Sequence, residues 1–156
     1  MRYLGNKTKL LPFIEKVIDK YHIKGKVFAD LFAGTGAVGD YFKNKYTIIS
    51  NDFLYYSSVF NRAKLLINTK PIFEKFKKKY EMDIFDWLNR QQFEANDYYF
   101  VYQNYSPVGG RMFFTEENAL KIDGIRVKIE ELLLDGFLED NEYYFLLGSL
   151  LESVTR

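Results

Sequence analysis

The first half of the sequence predicts an α/β fold built on parallel strands. Three observations carry that expectation. Two short apolar, β-branched runs, KVFADLF and YTIISND, alternate with helical patterns within about forty residues. Each run closes on an acid, Asp30 and Asp52. Between the first run and its helix lies a loop with Gly34, Gly36 and Gly39 in a G-x-G-x-x-G pattern.

Each element has its own signal. Leu10, Leu11, Ile14, Val17, Ile18 and Tyr21 recur at helical spacing, so Thr8 to Tyr21 reads as a helix, with Thr8 as its cap and Gly25 where a stop belongs. KVFADLF reads as a buried strand, GAVGDYFKNK as a helix start and YTIISND as a second strand. YYSSVFNRAKLLIN reads as a helix with Val59, Phe60, Ala63, Leu66 and Ile67 on one face. Pro71 breaks the pattern and opens IFEKFKKKYEMDIFDWLNRQQF, which reads as helical. DYYFVYQNYSPVGGRMFF is less regular, with strand-like aromatics before a Pro-x-Gly-Gly turn at Pro107 to Gly110. TEENALKIDGIRVKIEELLLDG is a helix capped by Thr115 and ended by Gly136, and NEYYFLLGSLLESVTR is an amphipathic helix.

Composition narrows the chemistry. The 156 residues suffice for a sizeable core, and no apolar run reaches the roughly eighteen residues of a membrane span. The charged, periodic N-terminus is not a secretory signal. Without cysteine there are no disulfides, no thiolate metal sites and no cysteine nucleophile, and His22 as the one histidine excludes a histidine metal cluster. Zero cysteines fit a cytoplasmic protein. Net charge is +1, although KFKKKY and Arg2, Lys7 and Lys9 are locally basic and EELLLDGFLEDNE is acidic. Aromatics make up 19%, which core packing explains for most of them and base stacking for a few. Asp83 and Asp86 in MDIFD read as a helix-start acid pair rather than a metal site.

A glycine loop between a strand and a helix presents free backbone N–H groups. Dinucleotides use such a loop, with a second acid about twenty residues on for the ribose, a place that Asp52 fills. S-adenosylmethionine differs: it carries an ammonium, a carboxylate and a sulfonium but no pyrophosphate. An acid ending the first strand suits that ammonium, and Asp30 stands four positions ahead of Gly34. The D-x-F-x-G-x-G form of Asp30, Phe32, Gly34 and Gly36, with Asp52 ending the next strand, therefore favours S-adenosylmethionine over a dinucleotide or a structural turn. Upstream, RYLGNKTKLLPFI sets an aromatic, a glycine and Lys7 before a helix: a cation for the methionine carboxylate, or a solvated lysine.

These residues resemble the N-terminal part of Dam-type DNA adenine N6-methyltransferases. Members begin with an aromatic-x-Gly-Gly-Lys segment, here Tyr3-Leu4-Gly5-Asn6-Lys7 with Asn6 in place of the second glycine. The resemblance implies cofactor roles for Tyr3, Lys7, Asp30, Phe32, Gly34 and Gly36, the ribose hydroxyls for Asp52 and the adenine ring for Phe53. It implies a Rossmann-like S-adenosylmethionine-dependent methyltransferase half-sheet with a largely helical DNA-recognition insert: residues 1–70 as the cofactor-binding α/β unit and 71–156 as the target-recognition region. NYSPVGGRMFFTEENALKIDGIR is similar to that region in one branch of the family, which would bring Asn104, Tyr105, Ser106, Gly110 and Arg111 to duplex DNA. Arg111 would meet a guanine edge or a phosphate, and otherwise is a surface arginine on a tight turn.

The family flips adenine out of the stack and holds it with an acid or amide followed by Pro-Pro-aromatic. Pro12, Pro71 and Pro107 are the only prolines, so that motif is absent and no catalytic residue is assigned. The expectation is an N-terminal fragment, a split subunit completed by a second polypeptide, or a non-catalytic DNA-binding or assembly module, with little activity alone. A half-sheet would leave an unpaired edge and an uncovered apolar face, which predicts dimerisation, a partner or a rearranged fold. A dinucleotide oxidoreductase is the weakest alternative.

Overall fold

The computed structural model describes residues 7–154, which form two compact units, one running to Pro71 and one from Ile72 to Val154. The fold is α/β and mostly helical, with two parallel strands among the described residues.

In the first unit a 3-10 turn, Lys7–Leu10, leads into α1 (Leu11–Lys20). The helix start therefore differs from the expected one: Leu10 holds the cap position with no side-chain cap, and Thr8 sits inside the turn. Pro12 in the first helical turn sets that boundary, because its fixed φ suits the start and its missing N–H has no intrahelical acceptor there. The stop also lies earlier than Gly25. His22 takes a left-handed φ of 49°, and the Ile23 N–H bonds back to the Ile18 carbonyl at 3.0 Å.

Strand β1 (Val27–Asp30) pairs with β2 (Thr47–Ser50), with Phe28 opposite Ile48 and Asp30 opposite Ser50. Between them runs α2 (Ala37–Phe42). Leu11, Val38 and Phe42 form the core of this unit, with Ile14, Ile18, Phe28, Tyr46 and Ile48 packed on it. The Phe28 and Phe42 rings stack at 5.0 Å. Alternation along the strands leaves Val27 and Ile49 exposed on the other face. Helix α3 (Tyr55–Leu65) follows, burying Ser57, Val59, Phe60 and Asn61. Leu66, expected on the buried face, is exposed, since the helix ends one residue before it. A Cβ on Gly39 would stand 3.0 Å from both Ile48 and Leu65, so this glycine lets α2 approach its neighbours closely.

In the second unit the helical stretch after Pro71 is two helices, α4 (Glu74–Tyr80) and α5 (Ile84–Arg90), and the second starts at the acid pair Asp83 and Asp86 as expected. Glu81 turns left-handed with φ 51°, and the Asp83 carboxylate caps α5 by accepting from the Phe85 and Asp86 N–H groups. The local cap outcompetes helix continuation. Of the aromatics in DYYFVYQNY, Phe100, Tyr102 and Tyr105 are helical rather than extended and lie in α6 (Phe100–Tyr105), while Tyr99 keeps an extended backbone as its cap residue. Helices α7 (Glu116–Leu134), capped by Thr115 through the Asn118 N–H, and α8 (Asp140–Val154) complete the unit. Phe76, Ile84, Leu88, Ile129, Leu132 and Leu146 fill its core, where Phe76, Tyr80 and Trp87 pack ring to ring. Among the described residues no helix is long and apolar enough to cross a membrane.

Candidate functional site

The loop Leu31–Gly36 leaves β1 and enters α2 through backbone that few side chains tolerate. Gly34 has φ 55° and Gly36 has φ 80°, the left-handed region where a Cβ crowds the backbone. The loop is fastened to the ends of both strands. The Asn51 N–H donates to the Asp30 carbonyl at 2.9 Å, and the Ala33 N–H donates to the Asn51 carbonyl at 2.9 Å.

Two acids face this loop, one from each strand end. Asp30 is 8% exposed. Its carboxylate accepts from Lys7 Nζ at 2.9 and 3.1 Å, and the same ammonium donates to the Phe32 carbonyl at 2.5 Å. The sequence assigns Lys7 and Asp30 to opposite charges of a ligand; the structure joins them to each other. The result is a three-oxygen cradle already holding a primary ammonium. Asp52 accepts from the Gly34 N–H at 2.8 Å and the Leu54 N–H at 3.2 Å. Those two N–H groups, Gly34 first, hold its carboxyl below the ordinary carboxylate range. Beside Asp52 opens a cleft of about 390 Å³, bounded also by Asn61, Arg62 and Leu66.

The aromatic residues of the site stand outward: Phe32 is 80% exposed and Phe53 99%. Neither contributes to the core. Tyr3 lies outside the described residues.

Two polar side chains that the sequence reading passes over hold the loop from α3. Asn61 Nδ2 donates to the Gly34 carbonyl at 2.9 Å and to the Ser57 carbonyl at 2.7 Å, while its Oδ1 accepts from the Ser50 hydroxyl at 2.6 Å. Lys64 Nζ donates to the Thr35 carbonyl at 3.1 Å. Nothing in the sequence singles Asn61 out, because Ser57, Ser58 and Lys64 are its neighbours on the helix surface, opposite the apolar Val59 and Ala63.

In the second unit, α6 and the turn after it present Asn104, Gly110 and Arg111 to solvent. The Arg111 guanidinium lies over the Tyr105 ring, 5.7 Å from its centre. Ser106 is different. It is fully buried, and its hydroxyl donates to the Tyr102 carbonyl at 2.6 Å and accepts from the Val108 N–H at 3.2 Å. It shapes the turn, and its side chain is not on the surface. Gly109 is required there, since a Cβ would fall 2.1 Å from the Gln103 carbonyl oxygen. Asp123 of α7, also fully buried, accepts from the Tyr102 N–H at 2.8 Å and so fixes the first turn of α6. Among the described residues no group of three His, Cys, Asp or Glu side chains is arranged to hold a metal ion.

Comparison with known proteins bears on both units. A family model describing the D12 class N6 adenine-specific DNA methyltransferases matches residues 3–156. The chain is 59% identical to Modification methylase LlaI of Lactococcus lactis subsp. lactis, over 100% of this chain and 25% of that protein. It is 39% identical to Type II methyltransferase M.FokI of Planomicrobium okeanokoites, over 99% of this chain and 24% of the relative. Against Type II methyltransferase M.NlaIII of Neisseria lactamica it is 38% identical, over 100% of this chain and 46% of that protein. The chain thus spans a quarter to just under half the length of these relatives. No solved structure matches it.

Proposed function

The chain belongs to the D12 class N6 adenine-specific DNA methyltransferase family, and on that basis we propose that it supplies the S-adenosylmethionine site and part of the DNA-reading surface of a modification enzyme that methylates adenine N6 in duplex DNA. Its two-stranded sheet is then part of a Rossmann-like methyltransferase sheet, with residues 1–70 the cofactor unit and 71–156 the target-recognition unit.

The observation that carries this reading is the ammonium cradle. Asp30 and the Phe32 carbonyl already bind one primary ammonium, that of Lys7, so the site has the charge and geometry for the α-ammonium of S-adenosylmethionine. A dinucleotide offers no such group. When bound, S-adenosylmethionine supplies an electrophilic methyl group on a sulfonium. Asp30 orients the methionine end through its ammonium. Lys7, once off Asp30, would pair with the carboxylate. Asp52, with its carboxyl held ionised by backbone N–H groups, accepts from the ribose hydroxyls. Phe32 and Phe53 cover the flat adenine face, and Tyr3 is proposed to add to that wall. No residue of this chain is assigned to activating the adenine amine.

For DNA, Arg111 is the proposed contact to a base edge or phosphate, with Asn104, Tyr105 and Gly110 beside it on a turn that Ser106 holds in shape. Stacking on Tyr105 limits the rotamers Arg111 loses on binding.

The test is calorimetry of the chain with S-adenosylmethionine and, separately, with NAD. Binding of the first and not the second is expected, with at least a tenfold loss in Asp30→Asn, since a charge-assisted bond is worth about 1.5–3 kcal/mol. Equal binding of NAD, or an unchanged Asp30→Asn, overturns it. Fluorescence anisotropy with a labelled duplex tests the second unit: Arg111→Ala should weaken binding and reduce the salt slope by about one.

A further inference from the structure

We propose that Asn61 is a positioning residue of the cofactor site: by gripping the Gly34 carbonyl it keeps the Thr35 N–H aimed at the bound ligand. The inference rests on the S-adenosylmethionine reading above and names a residue outside the motifs that carry it.

The argument starts from peptide geometry. In a trans peptide the C=O and the N–H of one plane point in opposite directions. The Gly34 carbonyl and the Thr35 N–H share a plane. Asn61 Nδ2 holds that carbonyl at 2.9 Å, towards α3. The Thr35 N–H must then point away from α3, and among the described residues it has no acceptor. The neighbouring loop amides are already engaged: Ala33 N–H on the Asn51 carbonyl, Gly34 N–H on Asp52 and Gly36 N–H on the Ala33 carbonyl. Thr35 therefore offers the donor that these bonds leave open, suited to a ligand oxygen such as the methionine carboxylate.

Asn61 has no freedom to do otherwise. It is 7% exposed, and its three bonds tie the end of β2, the body of α3 and the loop together. Ser50 donates to Oδ1, which fixes the amide so that Nδ2 faces the loop. Gly36 closes the fit: a Cβ there would lie 2.8 Å from Asn61 Oδ1. The grip matters most in the bound state. Asp52 holds the Gly34 N–H in the free protein and is the proposed acceptor for ribose hydroxyls. Once it is shared, Asn61 is the remaining side chain fastening that residue.

The experiment separates the two arms of the amide. Asn61→Asp keeps the acceptor for Ser50 and turns an oxygen towards the Gly34 and Ser57 carbonyls, removing both donated bonds. Ser50→Ala removes only the other arm. Calorimetry with S-adenosylmethionine should show at least a tenfold loss for Asn61→Asp and less than a twofold change for Ser50→Ala, with melting temperature recorded for both. Wild-type-like binding by Asn61→Asp overturns the inference while leaving the cofactor reading intact. Losses that simply track the melting temperature of the two variants also overturn it. Amide hydrogen exchange on the ligand-free chain gives an answer even where the wild type binds nothing, a result that would instead remove the cofactor reading. Exchange at Gly34 and Gly36 should quicken in Asn61→Asp, or in Asn61→Ala should the first variant not fold, while amides of α1 stay unchanged. No change at those two glycines overturns the positioning role.

Discussion

Replacing Lys7 by methionine separates two roles that the structure superimposes on one side chain. In the free protein the Lys7 ammonium occupies the cradle proposed for the ligand's own ammonium, so ligand binding must first displace it. The Lys7 side chain is 31% exposed and that of Asp30 9%. At about 3 Å and an effective dielectric of about 20, the gross attraction is on the order of 5 kcal/mol. Desolvation of Asp30, screening of the partly exposed lysine and its side-chain entropy reduce the net value to about 1 kcal/mol. That corresponds to about a fivefold penalty on any competing ammonium. Lys7→Met should therefore bind a carboxylate-free analogue, decarboxylated S-adenosylmethionine, about fivefold more tightly than the wild type. S-adenosylmethionine itself should gain less or lose affinity, because the same substitution removes the cation proposed for its carboxylate. Isothermal calorimetry with both ligands on both proteins measures the difference. Equal losses for the two ligands in Lys7→Met would refute the displacement argument, since they would mean that Lys7 only helps and never competes.

Other outcomes follow from the same geometry. Gly36→Ala should lower the thermal midpoint, since its left-handed backbone costs about 1–2 kcal/mol with a Cβ and that Cβ meets Asn61; an unchanged midpoint would contradict the described loop. Asp52 has a folded pKa below its unfolded value of about 3.9, so its contribution to stability is complete above that pH and is lost as pH falls through the lowered value. An NMR titration of the Asp52 carboxyl should accordingly show a midpoint below 3.9, and one at or above it would remove the Gly34 clasp. Asp123→Ala should cost about 1–2 kcal/mol in denaturant unfolding by stripping the first turn of α6 of its acceptor. Glu81→Gly should instead stabilise by a few tenths to about 1 kcal/mol, because Glu81 holds a left-handed φ of 51°.

The first unit was legible in the sequence because its elements are announced locally. The β-branched runs, the acids that end them and the glycines that turn the chain each act within a few residues. What escaped was set by contacts across the chain. Asn61 is unremarkable in sequence and acquires meaning only when α3 lays it against Gly34 and Gly36. Lys7 and Asp30 were each read against a ligand, because spacing alone cannot show that two side chains so far apart in the chain touch. In the second unit, Phe100 and Tyr102 carry strand propensity, yet the buried Asp123 carboxylate takes the Tyr102 N–H and favours a helix. The start of α5 has a local sign in the acid pair Asp83 and Asp86, whereas the left-handed Glu81 that ends α4 has none.

The fit between Gly36 and Asn61 couples two positions that lie far apart in the sequence. A side chain at 36 is barred by the amide at 61, and shortening the amide to admit it would release the loop. Anyone transplanting the glycine loop into another scaffold, or repairing a decayed copy of it, has to carry the asparagine along with it.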